Sequence, residues 1–247
     1  MHSLVKLIGV SKKYGAAAAL HPSDLAIERG QTTVLIGPSG CGKSTLLRLI
    51  IGLLEPDAGT MQFDGAPMTP AHFAQLRRRI GYVIQDGGLF PHLTARKNVL
   101  LMAAHLKRPP SEMNSRLAEL CTLTRFPETA LDRYPLELSG GQRQRISLMR
   151  ALALSPELLL LDEPLGALDP LVRAALQKDL KEIFARLKQT AVLVTHDLAE
   201  AAYLGHEIVL MSEGRIVQIG TLEELRTNPA SAFVTEFINA QRGLTVL

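Results

Sequence analysis

Apolar residues follow two alternating patterns along the chain: short continuous runs, and longer segments with apolar positions every three or four residues. The runs TTVLI (32–36), LLLL (158–161) and AVLV (191–194) have the length expected of strands buried on both faces. The segment before the last run has helical spacing, with apolar residues at Val172, Leu176, Leu180, Ile183 and Leu187. Strands that alternate with helices predict an α/β fold with a mainly parallel sheet.

Other segments predict additions to this sheet. LVKLIGV (4–10) and LAIE (25–28) predict early strands, and HEIVLMSEGRIVQIG (206–220) predicts a hairpin that turns at Glu213-Gly214. One long stretch does not show the alternation of strands and helices, because its patterns are helical and are interrupted by prolines. We therefore expect a single domain over residues 1–247, with a core formed by 1–86 and 156–247 and an inserted α-helical subdomain formed by 87–155.

The composition is that of an ordinary globular protein. Of the 247 residues, 47% are hydrophobic and 21% are charged, and these proportions argue against disorder. The net charge of +3 and the scattered basic residues do not indicate nucleic-acid binding; the densest basic run, 77–79, is interpreted as a solvated helix face. Two cysteines, Cys41 and Cys121, make no disulfide framework, which favours a reducing compartment.

The sequence contains no pattern that predicts a membrane span or a secretory signal. No apolar run approaches the roughly 20 residues needed to cross a bilayer, and the first ten residues lack the layout of a signal peptide. If the protein works at a membrane, we expect a partner to hold it there.

A phosphate-binding motif follows the run at 32–36. GPSGCGKST matches G-x-x-x-x-G-K-[ST] between a predicted strand and a predicted helix. Glycines let backbone N–H groups turn toward phosphate oxygens, the lysine neutralises the β and γ phosphates, and the serine hydroxyl is a Mg²⁺ ligand. The predicted site comprises Gly37, Pro38, Ser39, Gly40, Cys41, Gly42, Lys43, Ser44 and Thr45. Because the Cys41 thiol lies at the start of a helix, we expect alkylation to inactivate the protein and bound ATP to protect it.

Two adjacent acids, Asp162 and Glu163, follow the run of four leucines. Parallel sheets bind ligands at the carboxyl ends of their strands. We therefore expect Asp162 to hold Mg²⁺ through water and Glu163 to orient an attacking water. Pro164 disfavours helical backbone at the residue before it, so we expect Glu163 to be extended. A helix cap or a solvated turn is the alternative interpretation of such a pair.

Four more polar or aromatic residues are candidates for the same site. His196 follows a predicted strand and is a candidate γ-phosphate contact, while Gln85 ends the strand predicted in RIGYVIQD (79–86), within reach of Mg²⁺ or water. Asp169 precedes Pro170 in an N-cap and N1 arrangement, and this structural role is an alternative to nucleotide binding. Tyr14 is either an adenine-stacking platform or an aromatic residue in a turn.

A second phosphate-binding helix start is predicted at LSGGQ (138–142). Ser139 and Gln142 have the spacing of a capping box, with Gly140 and Gly141 between them and an apolar helical pattern after them. Such a start presents backbone N–H groups and the positive end of the helix dipole to an anion. The chain therefore has one complete phosphate cradle and one surplus helix start.

In their order along the chain, these motifs resemble the ATP-binding subunit of ABC transporters. GPSGCGKST resembles that family's Walker A motif, LSGGQ its signature, and LLLLDE (158–163) its Walker B motif with the catalytic glutamate. Gln85 is at the position of the family's Q-loop, and ALD (167–169) is at that of its D-loop. His196 is at the position of the family's switch histidine, and Tyr14 is at that of its adenine-stacking aromatic residue. The signature separates this family from kinases, GTPases and other P-loop proteins.

The resemblance implies a P-loop NTPase (RecA-like) core with an N-terminal antiparallel β subdomain, and an active ATPase that uses ATP and Mg²⁺. Glu163, His196 and Gln85 would be catalytic, and Ser44, Gln85 and Asp162 would hold the metal. The family's subunits pack head to tail, which implies a homodimer with each ATP between the Walker A of one subunit and the signature of the other. The nucleotide-binding set would then add to the Walker A residues Tyr14, Asp169, Ser139, Gly140, Gly141 and Gln142.

Further resemblance is to importers of quaternary amines such as glycine betaine, choline or carnitine, through segments such as IGYVIQ (80–85) and GLFPHLT (88–94). It implies integral-membrane permease partners, an indirect link to a solute-binding protein, no nucleic acid, and a peripheral position at the cytoplasmic face of the membrane. The short segment after Gln85 has two interpretations: it contacts the permease, or it belongs to the internal packing of the helical subdomain. Its residues are Leu89, Phe90, Pro91 and His92. Two alternatives are open for the function of the chain. It would be the ATPase of an amino-acid or lipid transport system, or an ATP-dependent regulatory module that drives no transport.

Overall fold

The structure is a computed structural model that describes residues 3–85, 87–166 and 168–243. By contacts the chain divides into two compact units, Met1–Arg77 with Lys188–Leu247, and Arg78–Leu187. The strands of the described residues are β1 (Ser3–Tyr14), β2 (Ala17–Glu28), β3 (Thr32–Ile36), β4 (Ala58–Phe63), β5 (Ala66–Pro67), β6 (Ile80–Val83), β7 (Leu158–Asp162), β8 (Thr190–Val194), β9 (Glu207–Ser212) and β10 (Arg215–Gly220).

The α-helices of the same residues alternate with these strands. They are α1 (Lys43–Ile50), α2 (Phe73–Leu76), α3 (Ala95–His105), α4 (Pro110–Thr124), α5 (Gly140–Leu152), α6 (Pro170–Leu187), α7 (Leu198–Leu204), α8 (Leu222–Thr227) and α9 (Ala232–Gly243). Short 3-10 helices lie at Pro70–His72, Glu128–Ala130 and Pro135–Glu137. Among the residues that the structure describes, no helix is both long enough and apolar enough to cross a membrane.

An antiparallel sheet in the first unit has the strand order β2-β1-β4-β5. Strands β1 and β2 form a hairpin that pairs Tyr14 with Ala17, and β4 pairs with the other edge of β1. Both strands bury apolar side chains, among them Val5 and Leu7 of β1 and Leu25 and Ile27 of β2. The early strands predicted from the sequence are confirmed, and both extend beyond their predicted apolar segments.

A second set of strands in the first unit is built around β3. Strand β3 pairs in parallel with β8 on one side and with β9 on the other, and β10 pairs antiparallel with β9. All five residues of β3 and of β8 are buried, as the continuous apolar runs predict. The β9–β10 hairpin turns at Glu213 and Gly214, whose φ angles of 48° and 73° are those of a type I′ turn, which confirms the prediction.

The second unit joins a parallel strand pair to helices. Strands β6 and β7 pair in parallel, and helices α3, α4 and α5 pack together in the stretch between them. Between residues 87 and 155 the described regular elements are all helical, as the sequence predicts. In α6, Leu176, Leu180 and Ile183 are buried at helical spacing. The α/β fold class, with its N-terminal antiparallel sheet and largely parallel strands, is therefore confirmed.

Candidate functional site

The GPSGCGKST loop joins β3 to α1 in the first unit. Its first and sixth residues, Gly37 and Gly42, have φ angles of 150° and 103°. A Cβ on Gly37 would lie 2.0 Å from the Met211 carbonyl oxygen, and one on Gly42 would lie 2.5 Å from that of Ala19. Side chains are therefore excluded at both positions by backbone that cannot move aside. The loop has the close-packed glycine geometry that a phosphate cradle needs.

Helix α1 begins at Lys43 without a side-chain cap, because its N-cap residue is Gly42. The Lys43 ammonium is buried within the loop and donates to the carbonyl oxygens of Gly37 and Pro38, each at 2.8 Å. An ammonium group held by neutral carbonyls carries a positive charge that no acid of the loop neutralises. Together with the uncapped N–H groups of α1, this charge makes the loop fit an anionic phosphate.

The Cys41 thiol lies inside the same loop, 3.6 Å from the Lys43 ammonium nitrogen. Only 4% of the Cys41 surface is exposed. An alkylating reagent therefore reaches this sulfur only when the loop opens. The predicted inactivation by alkylation and protection by ATP remain predictions, with slow reaction expected in the closed loop.

His196 lies at the carboxyl-terminal edge of β3 and β8, the same edge from which the GPSGCGKST loop leaves β3. It comes two residues after the end of β8, and the Thr195 N–H donates to the Leu35 carbonyl oxygen of β3 at 3.2 Å. Asp197 caps α7 by accepting from the N–H groups of Ala199 and Glu200, which fixes the turn while the His196 side chain stays exposed. This cap was not predicted, although an aspartate before an apolar helical segment signals one.

Tyr14 ends β1 and is 50% exposed. Its hairpin partner β2 carries Ala19, whose carbonyl oxygen is packed against Gly42 of the loop. The hairpin whose end carries Tyr14 thus lies against the phosphate loop at Ala19. Both interpretations of Tyr14, the turn aromatic and the adenine platform, are compatible with this position.

Asp162, Glu163 and Gln85 belong to the second unit. The parallel register pairs Val83 with Leu161, so Gln85 and Glu163 each lie two residues beyond the last pair, at one edge of β6 and β7. Asp162 is buried at 6% exposure, and the Tyr82 hydroxyl lies 3.5 Å from its Oδ2. Strand β6 ends at Val83 rather than at Gln85, because a turn closed by the Gly87 N–H and the Ile84 carbonyl oxygen replaces strand pairing.

The backbone at Glu163 is not extended as predicted. Its φ angle is 47°, in the left-handed region, which is uncommon for a residue other than glycine. Pro164 disfavours the right-handed helical region at Glu163 but does not select between the remaining regions. The left-handed turn redirects the chain as it leaves β7, and the buried Pro164 and Leu165 hold it there. Such backbone costs of order 1–3 kcal/mol and is concentrated at functional sites.

The signature segment forms the predicted capping box at the start of α5. Ser139 Oγ accepts from the Gln142 N–H at 3.2 Å, and Gln142 Oε1 accepts from the Ser139 N–H at 3.0 Å. The N–H groups of Gly140 and Gly141 precede the first hydrogen bond within the helix, so α5 itself does not use them. The predicted helix start is confirmed, with two unused N–H groups at its positive end.

Asp169 caps α6 as the sequence predicts. Its Oδ1 accepts from the Val172 N–H at 3.0 Å, and Pro170 is the first helical residue. The carboxylate is also exposed, so capping does not prevent a second contact. Ala167, the first residue of the ALD segment, lies outside the described residues.

The candidate permease surface, Leu89 to His92, belongs to the second unit. Phe90, Pro91 and His92 are exposed and Leu89 is half-buried. The rings of Phe90 and His92 meet edge to face with centroids 6.0 Å apart. The fully buried Asn98 fixes this loop by accepting from the Phe90 N–H and donating to three of its carbonyl oxygens, those of Phe90, Leu93 and Thr94.

Sequence reasoning missed Asn98 and two residues of α5, Ser147 and Arg150, which bind the segment after Gln85. The contacts of Ser147 and Arg150 join positions about 60 residues apart in the chain, which no local pattern reports. A signal existed for Asn98, since a polar residue between apolar helical positions requires buried partners.

Comparison with known proteins places the chain in a family. The family model described as ABC transporter matches residues 20–166. The chain is 47% identical over 240 residues to the glycine betaine/carnitine/choline transport ATP-binding protein OpuCA of Bacillus subtilis, covering 97% of this chain and 63% of that protein. It is also 47% identical over 229 residues to the sulfate/thiosulfate import ATP-binding protein CysA of Synechocystis, covering 93% and 64%. The chain thus spans less than two thirds of the length of these relatives.

Solved structures give the same result for the fold. The dimeric ATP-binding cassette in a post-hydrolysis state bound to ADP and Pi matches with a TM-score of 0.79 and 34% identity, covering 88% of this chain and 98% of that one. The sequence relatives match over nearly the whole chain, and this structure matches its fold. The chain therefore belongs to the ABC transporter family, as one of its ATP-binding cassettes.

Proposed function

We propose that the chain binds and hydrolyses ATP as the energy-supplying subunit of an importer. The observation that carries this proposal is the buried Lys43 ammonium, held by two carbonyl oxygens inside a loop whose glycines admit no side chain. An anionic phosphate is the group that such a cation and the uncapped helix start accommodate. In this proposal the single ATPase domain comprises the core segments 1–86 and 156–247 and the helical subdomain 87–155.

The phosphates would be bound by the loop from Gly37 to Thr45, with Lys43 turning from its carbonyl partners to the β and γ phosphates. Among the described residues, no group of three or more His, Cys, Asp or Glu is placed to hold a metal ion. Mg²⁺ in phosphate sites takes many of its ligands from phosphate and water, so a few protein oxygens suffice. The Ser44 hydroxyl, the Gln85 amide and the Asp162 carboxylate are the proposed protein ligands. When bound, the metal neutralises the charge that develops on the phosphates.

Hydrolysis requires a water to be held and polarised beside the γ phosphate. We assign this role to Glu163, whose left-handed backbone directs the chain away from β7 immediately after the buried Asp162. The exposed His196, at the carboxyl end of β8, is the proposed γ-phosphate contact. Tyr14 is the proposed adenine platform, and the exposed Asp169 is a proposed contact near the nucleotide in addition to its capping role.

The second phosphate-binding element is the start of α5. Gly140 and Gly141 offer two N–H groups that the helix leaves unused, and Ser139 and Gln142 hold them in place. We propose that they bind the γ phosphate of ATP held by another copy, so that two chains form an isologous homodimer around two nucleotides. ATP then stabilises the closed dimer and hydrolysis releases it.

The proposed partners are integral-membrane permease subunits, which would hold the chain at the cytoplasmic face of the membrane. Relatives identical at 47% carry names for unrelated cargo, quaternary amines in one case and sulfate or thiosulfate in the other. Overall identity to these relatives therefore does not by itself identify the solute. We propose a quaternary amine such as glycine betaine or choline, delivered by a solute-binding protein, on the strength of the resemblance in segments such as GLFPHLT.

An ATP-dependent regulatory module is the other candidate, and it is disfavoured because the sequence has Gln85, Glu163 and His196 at the motif positions where a catalytic cassette would have them. Steady-state hydrolysis of ATP by the purified chain, with Lys43→Ala as the inactive reference, tests the proposal. We expect Mg²⁺-dependent release of phosphate by the wild type alone. Stimulation by a candidate permease distinguishes a transport subunit from a regulatory module, and the ligand of any solute-binding protein encoded beside the gene would identify the cargo.

A further inference from the structure

Arg150, in the last turn of α5, is a cation held by backbone rather than by an acid. Its Nη1 donates to the Gly88 carbonyl oxygen and its Nη2 to the Gly87 carbonyl oxygen, each at 2.8 Å. The ring of Phe90 lies 5.9 Å from its Cζ. Within the described residues Arg150 makes no ion pair, and burial lowers the pKa of its guanidinium group from the usual value. The two carbonyl groups are therefore what compensates this charge for lost water.

A second residue of α5 binds the same segment. Ser147, one turn before Arg150 and fully buried, donates from its hydroxyl to the Gly87 carbonyl oxygen at 2.8 Å. A Cβ on Gly87 would lie 2.5 Å from this hydroxyl oxygen, and the φ angle of Gly87 is 74°. Glycine is required here because the backbone approaches α5 closely in a left-handed conformation. Three hydrogen bonds from one face of α5 thus fix the Gly87-Gly88 backbone.

The fixed segment is the end of the turn that contains Gln85. The Gly87 N–H donates to the Ile84 carbonyl oxygen at 3.0 Å, so Gly87 closes the turn with its N–H and meets α5 with its C=O. Strand β6 holds the chain on the other side, up to Val83. The backbone before and after Gln85 is therefore held by β6 on one side and by α5 on the other.

We propose that Arg150 is a positioning residue that ties Gln85 to the signature helix through the carbonyl groups of Gly87 and Gly88. The proposal deepens the proposed function and rests on it, because Gln85 is there a Mg²⁺ ligand and the start of α5 binds phosphate. Arg150 touches no nucleotide. A displacement of α5 when its first residues bind phosphate is passed to Gln85, and the Phe90 ring on the candidate permease surface contacts the same guanidinium group.

Replacing Arg150 by lysine distinguishes positioning by a forked pair of hydrogen bonds from the effect of the positive charge alone. The planar guanidinium group bridges two carbonyl oxygens at once, whereas an ammonium group is a point charge without that fork. Arg145→Lys is the matched control, because Arg145 lies on the same helix, is largely buried, and pairs with Asp179 at 2.6 Å instead of with Gly87 or Gly88. Both substitutions remove one guanidinium group from α5, and only one of them releases the Gln85 turn.

Amide hydrogen exchange, measured in the absence of nucleotide, tests whether Arg150 holds the turn that contains Gln85. In Arg150→Lys, peptides that cover residues 84–90 should exchange about tenfold faster than in the wild type, because local opening no longer breaks two hydrogen bonds. In Arg145→Lys, the exchange of these peptides should equal that of the wild type, even if overall stability falls. Equal acceleration in both variants would overturn the proposal, since it would show a general loosening of α5.

The effect on Gln85 is measured as Mg²⁺ affinity. The variants carry Glu163→Gln to prevent turnover, ATP is bound first, and Mg²⁺ is then titrated. Arg150→Lys should raise the Mg²⁺ concentration at half-saturation about tenfold, as loss of an outer-shell partner does at metal sites. ATP affinity in EDTA should match that of the unmodified background, since the phosphate loop is unchanged. Arg145→Lys should leave the Mg²⁺ titration unchanged.

A double variant decides whether Arg150 acts through Gln85. Gln85→Ala should shift the Mg²⁺ titration, and adding Arg150→Lys should shift it no further, because the group that Arg150 positions is already gone. Additive shifts would overturn the positioning role while leaving the proposed role of Gln85 intact. No shift from Gln85→Ala itself would overturn both the metal-ligand role of Gln85 and the positioning of that ligand by Arg150.

Discussion

The side chains of Ser139 and Gln142 each hydrogen-bond the backbone N–H group of the other residue, at 3.2 Å and 3.0 Å. This reciprocal pair holds the start of α5 in a fixed shape and leaves the N–H groups of Gly140 and Gly141 pointing outward from the helix start. The chain already has a complete phosphate loop at Gly37–Thr45. The second helix start therefore makes functional sense as a contribution to the nucleotide of another copy.

Ser139→Arg tests that division of labour. The substitution should leave ATP affinity at the phosphate loop within about twofold of the wild type, because that loop lies in the other compact unit, where residue 139 has no part. It should abolish ATP-dependent dimer formation, because a long side chain replaces the small hydroxyl group beside Gly140 and Gly141. Equilibrium nucleotide binding and light scattering measure the two quantities.

Ser139→Thr is the control, since threonine keeps the capping hydroxyl group and should keep the dimer. Loss of simple ATP binding in Ser139→Arg would mean that α5 serves the nucleotide of its own chain, contrary to the proposed arrangement.

Lys43→Met should weaken ATP binding and leave folding intact. Loss of charge-assisted hydrogen bonds to phosphate costs about 1.5–3 kcal/mol, or roughly 10- to 150-fold in affinity. Without nucleotide, the free energy of unfolding should be equal to or greater than that of the wild type, because methionine removes a buried cation from the loop. Nucleotide titration and urea denaturation of the same sample check both expectations. A parallel loss of stability and affinity would show that Lys43 is a structural residue of the loop.

Asn98→Asp should destabilise the second unit more at pH 8 than at pH 5. The Asn98 amide donates to three carbonyl oxygens, and an ionised carboxylate in its place would face them with negative charge. Lost donors and a buried charge make the expected cost about 3 kcal/mol in the free energy of unfolding at pH 8. The neutral acid is favoured in the folded state, so the folded-state pKa of the new carboxyl group is raised and the penalty shrinks as the pH falls through it.

Asn114→Asp is the matched control for that measurement. Asn114 is exposed on α4 in the same unit, so its substitution should change the free energy of unfolding by less than about 0.5 kcal/mol at either pH. Equal effects of the two substitutions would contradict the role assigned to the Asn98 hydrogen bonds.

Local signals in the sequence were enough for much of the fold. The buried runs that became β3 and β8, the type I′ turn at Glu213-Gly214 and the capping box at Ser139 and Gln142 all follow from residues within a few positions of one another. Periods of two or 3.6 residues and cap chemistry act over such distances. The same holds for the Asp169 cap of α6.

The features that the sequence did not predict are set by other constraints. The left-handed backbone of Glu163 was missed because the following proline removes one conformation without choosing among the others. The early end of β6 follows from the turn that the Gly87 N–H and the Ile84 carbonyl oxygen close. The hold of Arg150 on Gly87 and Gly88 depends on contacts between residues about 60 positions apart. Tertiary packing decides such details, and no periodic pattern encodes them.

The most direct test of the central claim is the mass of the Glu163→Gln variant in solution, measured by light scattering with and without ATP and Mg²⁺. The carboxylate that we propose to polarise water is lost while the phosphate loop and the start of α5 are unchanged, so ATP should bind without being hydrolysed. We predict a monomer without nucleotide and a stable dimer with ATP, while the wild type returns to monomer as its ATP is consumed. A Glu163→Gln variant that turns over ATP at the wild-type rate, or that stays monomeric with ATP bound, would contradict the account.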